Sequence, residues 1–237
     1  MKIKQAVVLA AGQGKRLQPL TFEMPKAMVL VNGKPMVQII LEQLKSVGVE
    51  TVVLVVNYHK EKITDYFGDG SKLGLKLIYA VQKEMKGTAN AILCAEPYIK
   101  DDKFFLIYCD SLFETEVLNR MLKHDSDGVM AAKHVDDPSR YGVFVVKGKR
   151  IIKFVEKPDE PISNLANLSI KIMPKEIFEE CKHVPLSKRG EYEFSDALQA
   201  LIDKGFNIEY EPVEHCMDIG THEQLKEAQE LAKKFSL

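Results

Sequence analysis

Two glycines, an arginine and two lysines crowd into residues 9–26, in Leu9-Ala10-Ala11-Gly12-Gln13-Gly14-Lys15-Arg16-Leu17 and the later pair Pro25-Lys26. Gly12 and Gly14 let a backbone come close to a polyanion and turn its N–H groups inward. Arg16 offers a rigid fork of donors for phosphate oxygens, and Lys26 a mobile point charge. This is equipment for a triphosphate. Two other phosphate loops are excluded, because there is no GxxxxGK[ST] run and the third glycine of a dinucleotide fingerprint is missing. Two aspartates add a second chemistry. Asp110 follows the apolar run Phe104 to Tyr108, and Asp218 lies in Met217-Asp218-Ile219-Gly220-Thr221. A carboxylate at a strand end suits a hard cation that keeps several waters and bridges phosphates. The six histidines show no metal spacing, and no Ser–His–Asp motif supports hydrolase chemistry.

The elements that must hold these residues can be read from periodicity. Ala6 to Leu9 is an unbroken apolar run, as expected of a strand covered on both faces, and the glycine loop follows at its carboxyl end, where open α/β sheets bind ligands. Thr51 to Val56, Leu75 to Ala80 and Phe104 to Tyr108 read as further strands. Met36, Val37, Ile40, Leu41, Leu44 and Val47 fall at helical spacing, with Gly48 as the cap. In the second half, Gly128 to Ala132, Gly142 to Val146, Ile151 to Val155 and Leu165 to Met173 read as strands. Helices are expected around Phe194 to Lys204 and Glu223 to Phe235, the last opened by a capping box at Thr221. The alternation predicts a Rossmann-like three-layer α/β/α fold with a mostly parallel central sheet. No linker or repeat interrupts it, so residues 1–237 read as one domain with lobes at 1–112 and 113–220 and a C-terminal helix at 221–237.

With these residues in view, LAAGQGKRLQPLTFEMPKAM resembles the signature of the nucleoside-diphosphate-sugar pyrophosphorylases, the glucose-1-phosphate thymidylyl- and uridylyltransferase group. The likeness continues through VQKEMKGTANA, SRYGV, FVEKP, SNLAN, RGEYEFSDAL and MDIGTHEQL; the long C-terminal repeat domain that some relatives carry has no counterpart. It implies the nucleotide-diphospho-sugar transferase fold, with the first lobe binding the nucleotide and the second the sugar phosphate. It implies that Arg16 and Lys26 are catalytic and that Leu9, Ala11, Gly12, Gly14, Gln82 and Gly87 bind the nucleotide, the last two reading uracil or thymine. Gly142, Glu156, Lys157, Asn167 and Arg189 would bind the sugar phosphate, and Asp110 and Asp218 would hold magnesium. The reaction implied is in-line attack of a sugar 1-phosphate, glucose 1-phosphate foremost, on UTP or dTTP. The alternative is a regulatory protein that keeps the domain without the catalysis.

The chain departs from the family at four places. Cys109 stands where glycine precedes the first aspartate, and Cys216 where tryptophan precedes the second. Ser169 and Lys171 replace a glycine and a tyrosine after SNLAN. Ser169 is therefore expected to line the sugar pocket and change the choice of sugar. Composition narrows the partners: a formal net charge of -1 gives no field for nucleic acid or anionic membrane. Four scattered cysteines without a CxxC pair fit reduced thiols, and no run approaches a membrane span. A cytoplasmic enzyme of nucleoside triphosphate and sugar 1-phosphate is expected, with homo-oligomerisation left open.

Overall fold

A computed structural model describes residues 2–158, 160, 162–235 and 237. The strands are β1 (Gln5–Leu9), β2 (Leu30–Val31), β3 (Lys34–Pro35), β4 (Thr51–Val56), β5 (Lys76–Val81), β6 (Lys103–Tyr108), β7 (Ser111–Phe113), β8 (Gly128–His134), β9 (Gly142–Lys147), β10 (Arg150–Glu156), β11 (Leu165–Pro174), β12 (Ile208–Pro212) and β13 (Cys216–Asp218). The helices are α1 (Met36–Ser46), α2 (Lys60–Phe67), α3 (Thr88–Leu93), α4 (Glu116–Met121), α5 (Ile177–His183), α6 (Phe194–Asp203) and α7 (His222–Lys234).

Nine strands form one sheet in the order β5-β4-β1-β6-β11-β8-β12-β10-β9. The first four run parallel, as does β8 with β12, but β11 lies antiparallel to both β6 and β8, and β10 is antiparallel to β12 and β9. The sheet is therefore mixed, which corrects the expectation of a mostly parallel one. The physical reason is that an unbroken apolar run reports burial on both faces and says nothing of strand direction.

Alternation along β1 builds the three layers. Ala6 and Val8 face α1, α2 and α4 through Leu41, Ile63 and Leu118, while Val7 faces α3, α5 and α6 through Ile92, Phe178 and Leu198. A third, smaller cluster gathers Leu17, Val31, Ile39, Leu112, Ile219, Ala228 and Ala232, so α7 closes over the glycine loop. Leu17 is fully buried between exposed Arg16 and Gln18; that anchor, worth about 1.5–3 kcal/mol, fixes where Arg16 emerges. Thr221 caps α7 by accepting a hydrogen bond from the Gln224 N–H, while the Gln224 side chain accepts from the Gly220 N–H.

Candidate active site

The glycine loop leaves β1 with its strand still paired, since the Ala10 N–H donates to the Val55 carbonyl. Gly14 sits at φ 70°, and its carbonyl accepts from the Thr21 hydroxyl at 2.8 Å, which folds the loop back toward Lys26. The Lys26 ammonium donates to Asp110 Oδ2 at 2.6 Å. Beyond it the Arg16 guanidinium lies against Gly220, where a Cβ would come within 2.8 Å of Nη2.

Strand pairing brings the two aspartates together. β13 pairs with β7 so that Asp218 stands opposite Ser111, and the Ile219 N–H donates to the Asp110 carbonyl at 2.8 Å. The hydroxyls of Ser111 and Ser169 both donate to Asp218 Oδ1, at 2.9 and 3.1 Å. Burial pushes the Asp218 carboxyl above its ordinary range, and the negative charge of Asp110 adds to that. Cys109 turns its side chain into the core and donates its N–H to the Leu9 carbonyl; burial pushes its thiol up to about 12, so it is no nucleophile at neutral pH.

Two cavities meet at this acidic pair. The first, about 480 Å³, is lined by Leu9, Ala11, Gly12, Gly14, Arg16, Lys26, Gln82, Gly87 and Asp110 among others. The second, about 280 Å³, is lined by Asp110, Gly142, Glu156, Lys157, Asn167, Arg189 and Asp218. Thr88, Tyr108 and Glu191 also line both. Every site residue anticipated from sequence thus lies on the wall of one or both cavities.

In the first cavity Gln82 is buried, its Nε2 donating to Asn90 Oδ1 at 2.9 Å and to the Gly87 carbonyl at 3.3 Å. Its carbonyl oxygen is an acceptor to which nothing among the described residues donates. Gly87 has φ 101°, and a Cβ there would lie 2.6 Å from the Tyr192 carbonyl oxygen, so only glycine permits the approach. Three hydrogen bonds fasten this segment to the chain before α6: the Tyr192 N–H to the Lys86 carbonyl, the Ala89 N–H to the Tyr192 carbonyl, and the Phe194 N–H to the Thr88 hydroxyl.

In the second cavity Arg189 is held by Glu193, with Nη2 at 2.8 Å from Oε1, and reaches Glu156 at 3.5 Å. Burial raises the Glu156 carboxyl above its ordinary range, opposed by the charges of Lys157 and Arg189. Asn167 Oδ1 is buried without a partner among the described residues, an acceptor that awaits a donor. Behind the junction Lys171 is entirely buried; its ammonium donates to the Leu168 carbonyl at 3.0 Å and lies 4.1 Å from the centre of the Tyr108 ring. Burial draws its pKa down to about 7, against the charges of Asp218, Asp110 and Glu156.

A family model described as nucleotidyl transferase matches residues 5–234. The chain belongs to the nucleotidyl transferase family. It is 40% identical over 233 residues to the UTP–glucose-1-phosphate uridylyltransferase AglF of Haloferax volcanii, covering 95% of each chain. It is 40% identical over 198 residues to the bifunctional protein GlmU of Methanocaldococcus jannaschii, spanning 46% of that protein. Among solved structures, UDP-glucose pyrophosphorylase complexed with UDP-glucose superposes with a TM-score of 0.85 at 27% identity, covering 98% of this chain and 99% of that one. The protein is a nucleotidyltransferase. No helix among the described residues is long and apolar enough to cross a membrane.

Several residues of this nucleotidyltransferase site were not singled out by sequence. Ser111 and Asn90 are ordinary polar residues whose importance comes from the partner across the fold. Tyr108 and Gly220 flank the two aspartates in sequence, at a spacing of two, which was the available signal. Ser169 lines the second cavity as expected, and its hydroxyl donates to Asp218, which leaves only its lone pairs for a further partner.

Proposed function

We propose that the protein joins UTP to glucose 1-phosphate, releasing pyrophosphate and forming UDP-glucose. One observation carries the reading: the two cavities share Asp110, with Arg16 and Lys26 on one and Lys157 and Arg189 on the other. Two anions brought to a common junction would each find their own cations. The first cavity would take the triphosphate and the second the sugar phosphate, with residues 1–112 supplying most of the first wall and residues 113–220 most of the second. The nucleophile is already an oxyanion and needs no general base. An oxygen of the sugar phosphate forms the new bond to the α-phosphorus, the bond from that phosphorus to its bridging oxygen breaks, and pyrophosphate leaves with the electron pair. Alignment and charge neutralisation then supply the catalysis. Arg16 and Lys26 neutralise the departing pyrophosphate, while Lys157 and Arg189 hold the incoming phosphate in line.

The carbonyl oxygen of Gln82 faces a base with an N–H where uracil and thymine carry one and cytosine an acceptor. Thymine shares that edge, so dTTP is the second triphosphate to test; the uridylyltransferase relative favours UTP. The unpartnered Asn167 oxygen suits a sugar hydroxyl.

The oxygen donors Asp110 and Asp218 fit magnesium. Two carboxylates are enough for an ion that keeps several waters and completes its shell with phosphate oxygens. When bound there, magnesium would neutralise charge on the phosphates.

Pyrophosphate release measured over four triphosphates and several hexose 1-phosphates tests the reading, with UTP plus glucose 1-phosphate expected to be fastest. No release with any pair would refute catalysis and leave a regulatory protein. Release only with a purine triphosphate would refute the base assignment.

A further inference from the structure

The strand β11 loses its regular register with β8 between Asn167 and Lys171, and that stretch holds two buried polar side chains, Ser169 and Lys171. Ser169 bonds Asp218 directly. Lys171 is the only lysine among the described residues that is fully buried, and no carboxylate forms an ion pair with it. Its ammonium donates to the Leu168 carbonyl and lies over the rings of Tyr108 and Phe194, at 4.1 and 5.5 Å from their centres. Tyr108 lines both cavities, and Phe194 lines the second. The titratable groups within electrostatic range are Asp218, Asp110 and Glu156, all of the site, and the thiol of Cys216. A buried ammonium with no contacting counter-charge is expensive for the fold, and packing alone would be better served by an apolar residue.

We propose that Lys171 is a positioning residue: its amine, packed against Tyr108 beside the Asp110–Asp218 junction, sets the balance between cation and phosphate binding in the site when it holds its proton. It touches no reacting atom. Its charge opposes a divalent cation at the carboxylates and favours the phosphates that gather above Tyr108. This rests on the reading of Asp110 and Asp218 as a cation centre.

The test replaces the ammonium with an apolar chain of similar length, Lys171→Met, in the full chain. Mn2+ alone is titrated by electron paramagnetic resonance, and pyrophosphate alone by calorimetry, on the acid side of the lysine's value, at about pH 6. The two affinities are expected to move in opposite directions, with Mn2+ binding roughly three- to tenfold tighter and pyrophosphate weaker by a similar factor. Lys171→Arg, which keeps the charge, should restore the wild-type balance. A lysine that merely packs would move both affinities down together or neither, and either result overturns the proposal. If Lys171→Met does not fold, Lys171→Gln must give the same opposed pair; failure of all three variants to fold marks the lysine as structural and overturns it too. Asp218→Asn separates the two readings. If wild type binds no Mn2+, or Asp218→Asn binds it as well as wild type, the cation centre itself is wrong; if only the Lys171 variants behave like wild type, this inference alone falls.

Discussion

Gly220 offers a clean way to move the Arg16 guanidinium without removing it. A methyl group at position 220 would stand 2.8 Å from Nη2 and 3.3 Å from Cζ of Arg16, and 3.3 Å from Gln224 Oε1. Ordinary contact begins near 3.4 Å, so the guanidinium must retreat by roughly 0.6 Å. The obstacle is the far end of a flexible, exposed side chain, so the fold should yield at a cost below about 0.5 kcal/mol. The chemistry should not be so tolerant. A charge-assisted hydrogen bond is worth about 1.5–3 kcal/mol, and a donor displaced by half an ångström forfeits part of it. A loss of about 1–2 kcal/mol corresponds to a kcat lowered roughly 5- to 30-fold. Gly220→Ala is therefore expected to slow pyrophosphate release at saturating substrates while the thermal midpoint stays put. The double variant Arg16→Ala/Gly220→Ala should be no slower than Arg16→Ala, because both changes remove the same interaction. Unchanged kcat in Gly220→Ala, or fully multiplicative losses in the pair, would refute the coupling.

Three further outcomes follow from the site. Gln82→Ala should cost about 1–3 kcal/mol in kcat/KM with UTP and much less with ATP; an equal loss with both would mean a structural defect from the orphaned Asn90 instead. Ser169→Gly removes one of two hydroxyls on Asp218, so it should shift the magnesium titration and leave the ranking of sugar 1-phosphates unchanged; a changed ranking with an unmoved titration would support the sugar-contact reading. Lys171 has a pKa of about 7 in the folded protein and 10.5 as its ordinary value. Between those values the unfolded chain holds a proton that the native state lacks, so the native state gains stability as pH rises through the window and loses it as pH falls toward 7. Denaturant unfolding between about pH 7 and pH 9 should show wild type gaining on the order of 1–2 kcal/mol relative to Lys171→Met. Parallel pH profiles for the two proteins would exclude that linkage.

The parts of the molecule legible in sequence are those whose cause is local. The loop after β1 needs glycine and proline at fixed places, α1 spans three turns of clear period, and Thr221 caps its own helix. Helices α2, α3, α4 and α5 were not read, being 8, 6, 6 and 7 residues long, too short to display a period. The expectation of a mostly parallel sheet fails at β9, β10 and β11, because apolar runs such as Leu165 to Pro174 carry no mark of strand direction. The candidate site divides the same way. Motif residues such as Arg16 and Lys157 can be picked out because they stand in runs, LAAGQGKRL and FVEKP, that resemble the family's. Ser111 and Asn90 could not, since each matters only through a partner that the fold delivers from 107 or 8 residues away. Lys171 stood out as a departure, yet only burial shows that it lies behind the junction and not on the surface.

The stitching of residues 86–89 to residues 192–194 has a consequence for anyone who would redesign this enzyme. The stretch that lines the first cavity at Gly87 and the stretch that carries Arg189 share three backbone-mediated hydrogen bonds and a glycine that fits only against Tyr192. They are far apart in the gene but behave as one part in the machine. Transplanting either loop from a homologue on its own would leave donors and acceptors facing the wrong partner, whereas exchanging both as a matched set would keep the seam intact. On the proposed function, choice of base and choice of sugar would be inherited together, and a lineage that changed one would be pressed to rewrite the other.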